Sequence, residues 1–134
     1  MYAVLLLIFL TFGFLTDFVN FMPRNITNLV IQNSYILILA IGMVMVIITG
    51  KIDLSVGSVV ALTGAIAAWA YNTSNGSMTA SILAALVAGA LIGAFQGYWI
   101  AYLRVPAFIV TLGGMLGWRG LTYIFTEIQP IGLM

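Results

Sequence analysis

Cysteine and histidine are both absent from this sequence of 134 residues. Without cysteine there are no disulfides and no thiolate metal sites. Without histidine the chain lacks the commonest general base and the commonest metal ligand. The sequence therefore offers no catalytic residue, no metal site and no cofactor site, and we predict that the chain is not an enzyme.

Charge is also scarce, since only 5% of the residues are charged and the net charge is +1. A chain with so little positive charge has no basic surface to hold nucleic acid. The Gly50-Lys51 pair is not part of a P-loop, because Ile52 follows it and Met45 stands where the motif needs a glycine. The charged residues are Asp17, Arg24, Lys51, Asp53, Arg104, Arg119 and Glu127.

What the sequence has in abundance is apolar residues, at 63% of the chain. Soluble domains are about 45–50% apolar, and a small fold cannot hide this much apolar surface from water. We therefore expect hydrocarbon to surround the chain and predict an all-α membrane protein, a polytopic bundle of transmembrane helices.

Five segments are apolar enough to be candidate spanning helices, which need about 20 such residues. Short polar connections separate them, including the turn-forming sequence NTSNGS after the third segment and Pro106 before the fifth. The predicted helices cover residues 1–16, 29–49, 54–71, 78–103 and 107–126.

Glycines recur at helical spacing on the last two segments. A small-xxx-small row lets two helix backbones approach closely in lipid. Such rows predict close helix packing, either within an ordinary bundle or at a dimer contact. The residues concerned are Gly89, Gly93 and Gly97 on the fourth segment and Gly113, Gly114 and Gly117 on the fifth.

A polar corner precedes the third segment, where the chain reads Asp53, Leu54, Ser55, then Gly57 and Ser58. The side chain of Asp53 or Ser55 could cap the helix by accepting its free N–H groups. The alternative is a structural corner beside a translocation path, because broken helices often line cavities in membranes.

Four polar residues lie inside apolar stretches and are candidates for pore-lining or buried polar positions: Gln32, Asn33, Gln96 and Arg119. Polar groups in lipid need partners, so the amides are expected to point into the bundle. Arg119 would need a carboxylate such as Glu127 or Asp53, or would reach toward an interface. Tyr98, Trp99 and Tyr102 are typical of an interfacial aromatic belt.

Several sequence runs together resemble the permease subunits of bacterial ABC importers for monosaccharides, of the ribose, xylose, arabinose and multiple-sugar type. The resemblance covers nearly the whole chain, and Lys51 stands where many members have a small residue. The matching runs are Arg24-Asn25-Ile26-Thr27-Asn28-Leu29, Ala40-Ile41-Gly42-Met43, Gly50 to Ser58, Val105 to Gly113 and Arg119-Gly120.

The resemblance implies a multi-pass protein of the bacterial cytoplasmic (inner) membrane with about ten spanning helices, so that residues 1–134 would be the N-terminal half of one permease domain. It implies as partners a second permease subunit, cytoplasmic ABC ATPase subunits, a periplasmic sugar-binding protein and a monosaccharide substrate. The loop that couples to the ATPase would lie outside this chain. Two alternatives stay open: a related permease for a nucleoside, autoinducer or branched-chain amino acid, and a membrane scaffold without transport.

Overall fold

The computed structural model describes residues 1–132, and in that part of the chain all regular structure is helical. The chain divides into two compact units, Met1–Gly42 and Met43–Met134. The helices are α1 (Tyr2–Leu15), a short 3-10 helix (Val19–Phe21), α2 (Pro23–Ile48), α3 (Val56–Thr73), α4 (Met78–Ala101) and α5 (Ala107–Thr126).

Five α-helices confirm the predicted helical bundle, but the second begins earlier than predicted. The sequence placed its start at Leu29, whereas α2 begins at Pro23. Proline suits the first helical position, because its fixed φ matches the helix and its missing N–H needs no partner there. Residues 23–28, which lie between the predicted helices 1–16 and 29–49, are therefore part of α2.

Three of the described helices, α2, α4 and α5, are long and apolar enough to cross a membrane. The five predicted segments are all helical, and these three meet the criterion of length and apolarity. The 14 residues of α1 extend about 21 Å at 1.5 Å per residue, less than the roughly 30 Å hydrocarbon core. The 18 residues of α3 reach about 27 Å and end in the polar run Tyr71, Asn72, Thr73.

In the first unit, aromatic rings fix α1 against the short 3-10 helix. The rings of Phe9 and Phe21 lie 4.7 Å apart, and those of Phe14 and Phe18 lie 5.1 Å apart. Gly13 is buried beneath them, and a Cβ at this position would come within 2.9 Å of the Phe21 ring. The turn is therefore closed by aromatic packing over a glycine.

In the second unit, α3 lies between α4 and α5 and packs against both. The turn from α3 to α4 uses left-handed backbone at Asn75 and Gly76, and Ser77 caps α4 by accepting the N–H of Ala80 at 3.4 Å. The hydroxyl of Ser81 donates to the carbonyl of Ala67 at 2.9 Å, so α3 and α4 form an antiparallel pair.

Burial in the described chain is inverted relative to a soluble protein. The buried polar residues are Ser55, Ser58, Gln96 and Thr111, whereas the buried hydrophobic residues are Leu62, Ala70 and Ile92. Nearly all large apolar side chains, such as Ile38, Met45 and Leu86, point outward. Because polar groups in lipid must find partners inside the protein, this distribution is that of a membrane protein.

Candidate functional site

The site begins at the corner segment, residues 51–55, which joins α2 to α3. Asp53 Oδ1 accepts two hydrogen bonds from Ser55, one from its backbone N–H at 2.7 Å and one from its hydroxyl at 2.6 Å. This arrangement is an Asx turn, in which the carboxylate accepts a hydrogen bond from the backbone N–H two residues later in the chain. The corner is therefore held in shape by its own side chains.

The same geometry corrects the predicted helix cap. Ser55 occupies the N-cap position of α3, but its side chain accepts no hydrogen bond from the first turn. Its hydroxyl proton is directed to Asp53 instead. Asp53 in turn bonds Ser55 and not a residue of α3. The polar side chains at this corner stabilise the turn and not the helix end.

Ser55 is joined to the middle of α4 by Gln96. Both the oxygen and the nitrogen of the Gln96 amide lie 3.1 Å from Ser55 Oγ. Since the one hydroxyl proton is given to Asp53, Ser55 accepts from Gln96 Nε2. Ser55 is 0% exposed and Gln96 is 7% exposed, so the hydrogen bond is closed off from solvent and lipid.

Thr111 ties α5 to the same corner. Its hydroxyl lies 3.3 Å from the carbonyl oxygen of Ile52, and the residue is only 3% exposed. Sequence reasoning did not single out Thr111, although a hydroxyl residue in an otherwise apolar helix start was a usable signal. With Gln96 and Thr111 both bonded to residues 51–55, the corner joins α4 and α5 through polar contacts.

A cleft of about 380 Å³ opens beside the corner, and we call it the corner cleft. Its glycine wall is formed by Gly93 and Gly97, and no atom of residues 1–132 lies within 4 Å of a Cβ built at either. Its polar lining consists of Thr49, Lys51, Asp53, Gln96 and Thr111. The cleft thus combines a backbone wall with hydroxyl, amide and charged groups.

A second cleft of about 440 Å³ lies between α4 and α5, and we call it the glycine cleft. Gly113, Gly114 and Gly117 form one wall, and the opposite side is aromatic. The ring of Phe95 stands edge-on to those of Trp99 at 6.1 Å and Trp118 at 5.9 Å. Gln96 lines both clefts, so one buried amide separates them.

The six predicted packing glycines therefore divide into two groups. Gly89 and Gly114 lie in packed contacts, since a Cβ at Gly89 would be 3.9 Å from Thr63 Cγ2 and one at Gly114 would overlap the Gln96 amide nitrogen. The other four have open space in place of a partner within the described residues: Gly93, Gly97, Gly113 and Gly117. Their packing against further helices stays a prediction.

The remaining predicted residues lie apart from this cluster. Gln32 and Asn33 are exposed on α2, where Asn33 Nδ2 donates to the carbonyl of Leu29 at 2.8 Å. Arg119 is exposed on α5 and forms no ion pair with any residue in the range 1–132. Ser58 is buried in α3 near its start, while Leu54 and Gly57 are exposed.

Among residues 1–132, no group of three or more Asp, Glu, His or Cys side chains is placed to hold a metal ion. The polar cluster of Asp53, Ser55, Gln96 and Thr111 instead orients the helix corner through its own hydrogen bonds. Apolar helices outside and bonded polar groups beside two clefts define an integral membrane protein of the helical-bundle class.

Residues 25–131 match the family described as "Branched-chain amino acid transport system / permease component". Because this match covers most of the sequence, the chain belongs to that permease family. Members of the family are transport proteins, which agrees with the permease class inferred from the sequence. No solved structure matches the chain significantly.

Two of the curated relatives reported below are named as sugar permeases, and a third is named as an ABC transporter permease. The chain is 46% identical over 121 residues to the xylose transport system permease protein XylH of Escherichia coli K12, covering 90% of the chain and 31% of that protein. It is 46% identical over 111 residues to the ribose import permease protein RbsC of the same organism, covering 83% and 34%. The inner membrane ABC transporter permease protein YjfF is 43% identical over 114 residues, covering 84% and 34%. The chain spans about a third of the length of these relatives.

Proposed function

We propose that this chain forms part of the permease of an ABC importer that carries a monosaccharide across the bacterial cytoplasmic membrane. The observation that carries the proposal is the 46% identity to the xylose and ribose permeases over 83–90% of the chain. In this proposal residues 1–134 are the N-terminal part of one permease domain, and a separate ATPase supplies the energy.

The corner cleft supports a route for a polyhydroxylated solute. Sugars are recognised by a few convergent hydrogen-bonding groups, and the cleft offers the hydroxyl of Thr49, the ammonium of Lys51 and the carboxylate of Asp53, on residues that are exposed or half-buried. Its volume of about 380 Å³ lies within the range of ligand pockets, roughly 300–1,000 Å³. Gly93 and Gly97 leave room for the solute to approach the α4 backbone.

The partners follow from the same proposal. A second permease subunit would complete the pore, cytoplasmic ABC ATPase subunits would drive it, and a periplasmic sugar-binding protein would deliver the substrate. The outward-facing apolar side chains of α2, α4 and α5 supply surface for lipid and for further helices. Open glycines at positions 113 and 117 give one such surface a shape that suits close helix approach.

The direct test is uptake into proteoliposomes that contain the complete importer with ATP in the lumen and the binding protein outside. Radiolabelled D-xylose and D-ribose should accumulate only when ATP is present. A hydrolysis-deficient ATPase subunit is the matched control. Absence of ATP-dependent uptake for any monosaccharide would reject the proposal.

A second candidate is a permease for a branched-chain amino acid, because the family description names that solute. Leucine in the same vesicles separates the two candidates. Uptake of leucine without uptake of sugars would favour the amino acid permease. Uptake of neither, from an assembled complex that hydrolyses ATP, would favour a non-transporting scaffold.

A further inference from the structure

The indole nitrogen of Trp118 is buried in the wall of the glycine cleft without a hydrogen-bond partner. It is the only buried side-chain nitrogen or oxygen of this kind among residues 1–132. An indole N–H can only donate, and leaving it unpaired in an apolar setting costs the solvation it has lost. We therefore expect a hydrogen-bond acceptor beside the Trp118 indole N–H.

Gln96 on α4 lines the same cleft as Trp118. A Cβ built on Gly114 would overlap Gln96 Nε2 and lie 3.1 Å from Trp118 Nε1, so both nitrogens face the same small space. Two N–H donors pointed at one space cannot bond each other. The missing acceptor is the oxygen at the other end of the Gln96 amide.

A half-turn of the Gln96 side-chain amide about its terminal torsion preserves its hydrogen bond to Ser55. Ser55 Oγ lies 3.1 Å from both the oxygen and the nitrogen of Gln96, so a half-turn exchanges the two atoms at equal distance. The terminal torsion of glutamine is broad and roughly two-fold, and such a turn meets no staggered barrier. After the turn, nitrogen still faces Ser55 and oxygen faces Trp118.

We propose that Gln96 and Trp118 form a latch between α4 and α5, in which the turned amide accepts the Trp118 indole N–H through Oε1 and donates to Ser55 through Nε2. Each residue then donates one hydrogen bond to the next, in the order Trp118, Gln96, Ser55, Asp53. The chain of hydrogen bonds runs from the glycine cleft to the corner segment.

The latch fills a gap in the packing of the second unit. Helices α4 and α5 each pack extensively on α3, but they touch each other only sparsely. Their direct contact includes the edge-on rings of Phe95 and Trp118 at 5.9 Å, with the glycine cleft beside them. A hydrogen bond across this cleft sets the spacing of α4 and α5, and Gln96 and Trp118 are therefore positioning residues.

The indole N–H of Trp118 reports the latch directly. The chain has three tryptophans, so the intact protein in lipid nanodiscs gives three indole signals from this segment in ¹⁵N-correlated NMR, and Trp118→Phe identifies one. The Trp118 proton should resonate downfield, as hydrogen-bonded indoles do. Gln96→Met, which keeps length and removes the acceptor, should move it upfield and make its exchange with deuterium about tenfold faster.

Two comparisons keep the test decisive. Gln32→Met removes an exposed amide from α2 and should leave the Trp118 signal unchanged. An upfield, non-bonded Trp118 signal in the unmodified protein overturns the latch, even if Gln96→Met fails to fold. A Trp118 signal that is the same with and without Gln96 overturns it as well.

The transport consequence rests on the proposed function and is measured separately. Gln96→Met should lower the maximal rate of ATP-driven sugar uptake, while Gln129→Met, which removes an exposed amide after α5, should not. A shifted Trp118 signal with unchanged uptake would leave the latch standing but remove its role in transport. If the unmodified importer carries no sugar at all, the proposed function fails while the spectroscopic result still decides the latch.

Discussion

Ser55, at the corner before α3, and Gln96, in the middle of α4, are hydrogen-bonded side chain to side chain at 3.1 Å although 41 residues separate them in the chain. Both are nearly or fully buried. This contact connects a turn that is shaped by its own aspartate to the centre of the helical unit. Four predictions follow the consequences of this and neighbouring contacts.

Replacing Ser55 with alanine should destabilise the protein by about 1–3 kcal/mol, because Gln96 and Asp53 both lose a buried partner. Unfolding of the purified protein in mixed micelles by titration with a denaturing detergent measures the change. Ser34→Ala removes an exposed hydroxyl that bonds its own helix and should cost less than about 0.5 kcal/mol. Equal effects of the two substitutions would contradict the role of Ser55.

Gly114 and its neighbour Gly113 provide a matched pair. A methyl at Gly114 would overlap the Gln96 amide and should cost about 1–3 kcal/mol, whereas a methyl at Gly113 enters open space and should be close to neutral. The same detergent titration compares Gly114→Ala with Gly113→Ala. If Gly113→Ala proved the more harmful, the packing of α4 against α5 described above would be wrong.

Asp53 should tolerate asparagine better than alanine. Asparagine keeps the Oδ1 acceptor for the amide and hydroxyl of Ser55, whereas alanine leaves the Ser55 N–H unpaired and the hydroxyl with Gln96 alone, at a cost of about 1–3 kcal/mol. Thermal unfolding measures stability, and vesicle uptake measures transport. Loss of uptake in a well-folded Asp53→Asn protein would show that the charge itself matters in the corner cleft.

Leucine substitutions at Gly93 and Gly89 distinguish a blocked corner cleft from disrupted packing between α3 and α4. Leucine at Gly93 should fill the corner cleft, so uptake should fall severely with stability changed by less than about 0.5 kcal/mol. Leucine at Gly89 should press on Thr63 of α3 and destabilise the helix pair by about 1–3 kcal/mol. The two variants are compared by detergent titration and by uptake. Normal uptake by a folded Gly93→Leu protein would exclude the corner cleft from the solute route.

The sequence predicted the helical class and most helix positions, because long apolar runs between polar turns leave few alternatives in lipid. The fifth helix, residues 107–126, was predicted with the bounds that the structure shows. The start of α2 was missed because residues 17–28, with the polar residues Asp17 and Arg24, were assigned to a connection, whereas Pro23 is the first helical residue. Spacing alone therefore identified helices better than it identified their ends.

The candidate site was only partly accessible to sequence reasoning. Asp53, Ser55 and Gln96 stood out as polar residues in apolar surroundings, but their mutual bonding depends on which faces of α3 and α4 meet. Periodicity does not fix that choice. The glycine row on α4 illustrates the limit, because Gly89 contacts α3 while Gly93 and Gly97, on the same row, face a cleft.

The central position of α3 has a consequence for how the protein is made. Most of its residues are buried or half-buried against α4 and α5. Alone in lipid it would lack the contacts with α4 that cover it, including the hydrogen bond from the Ser81 hydroxyl to the carbonyl of Ala67. Its entry into the bilayer should therefore wait for α4 to emerge from the ribosome and should proceed as a helical hairpin. Polar insertions in the 74–77 turn would then disturb biogenesis less than a charge placed in α4.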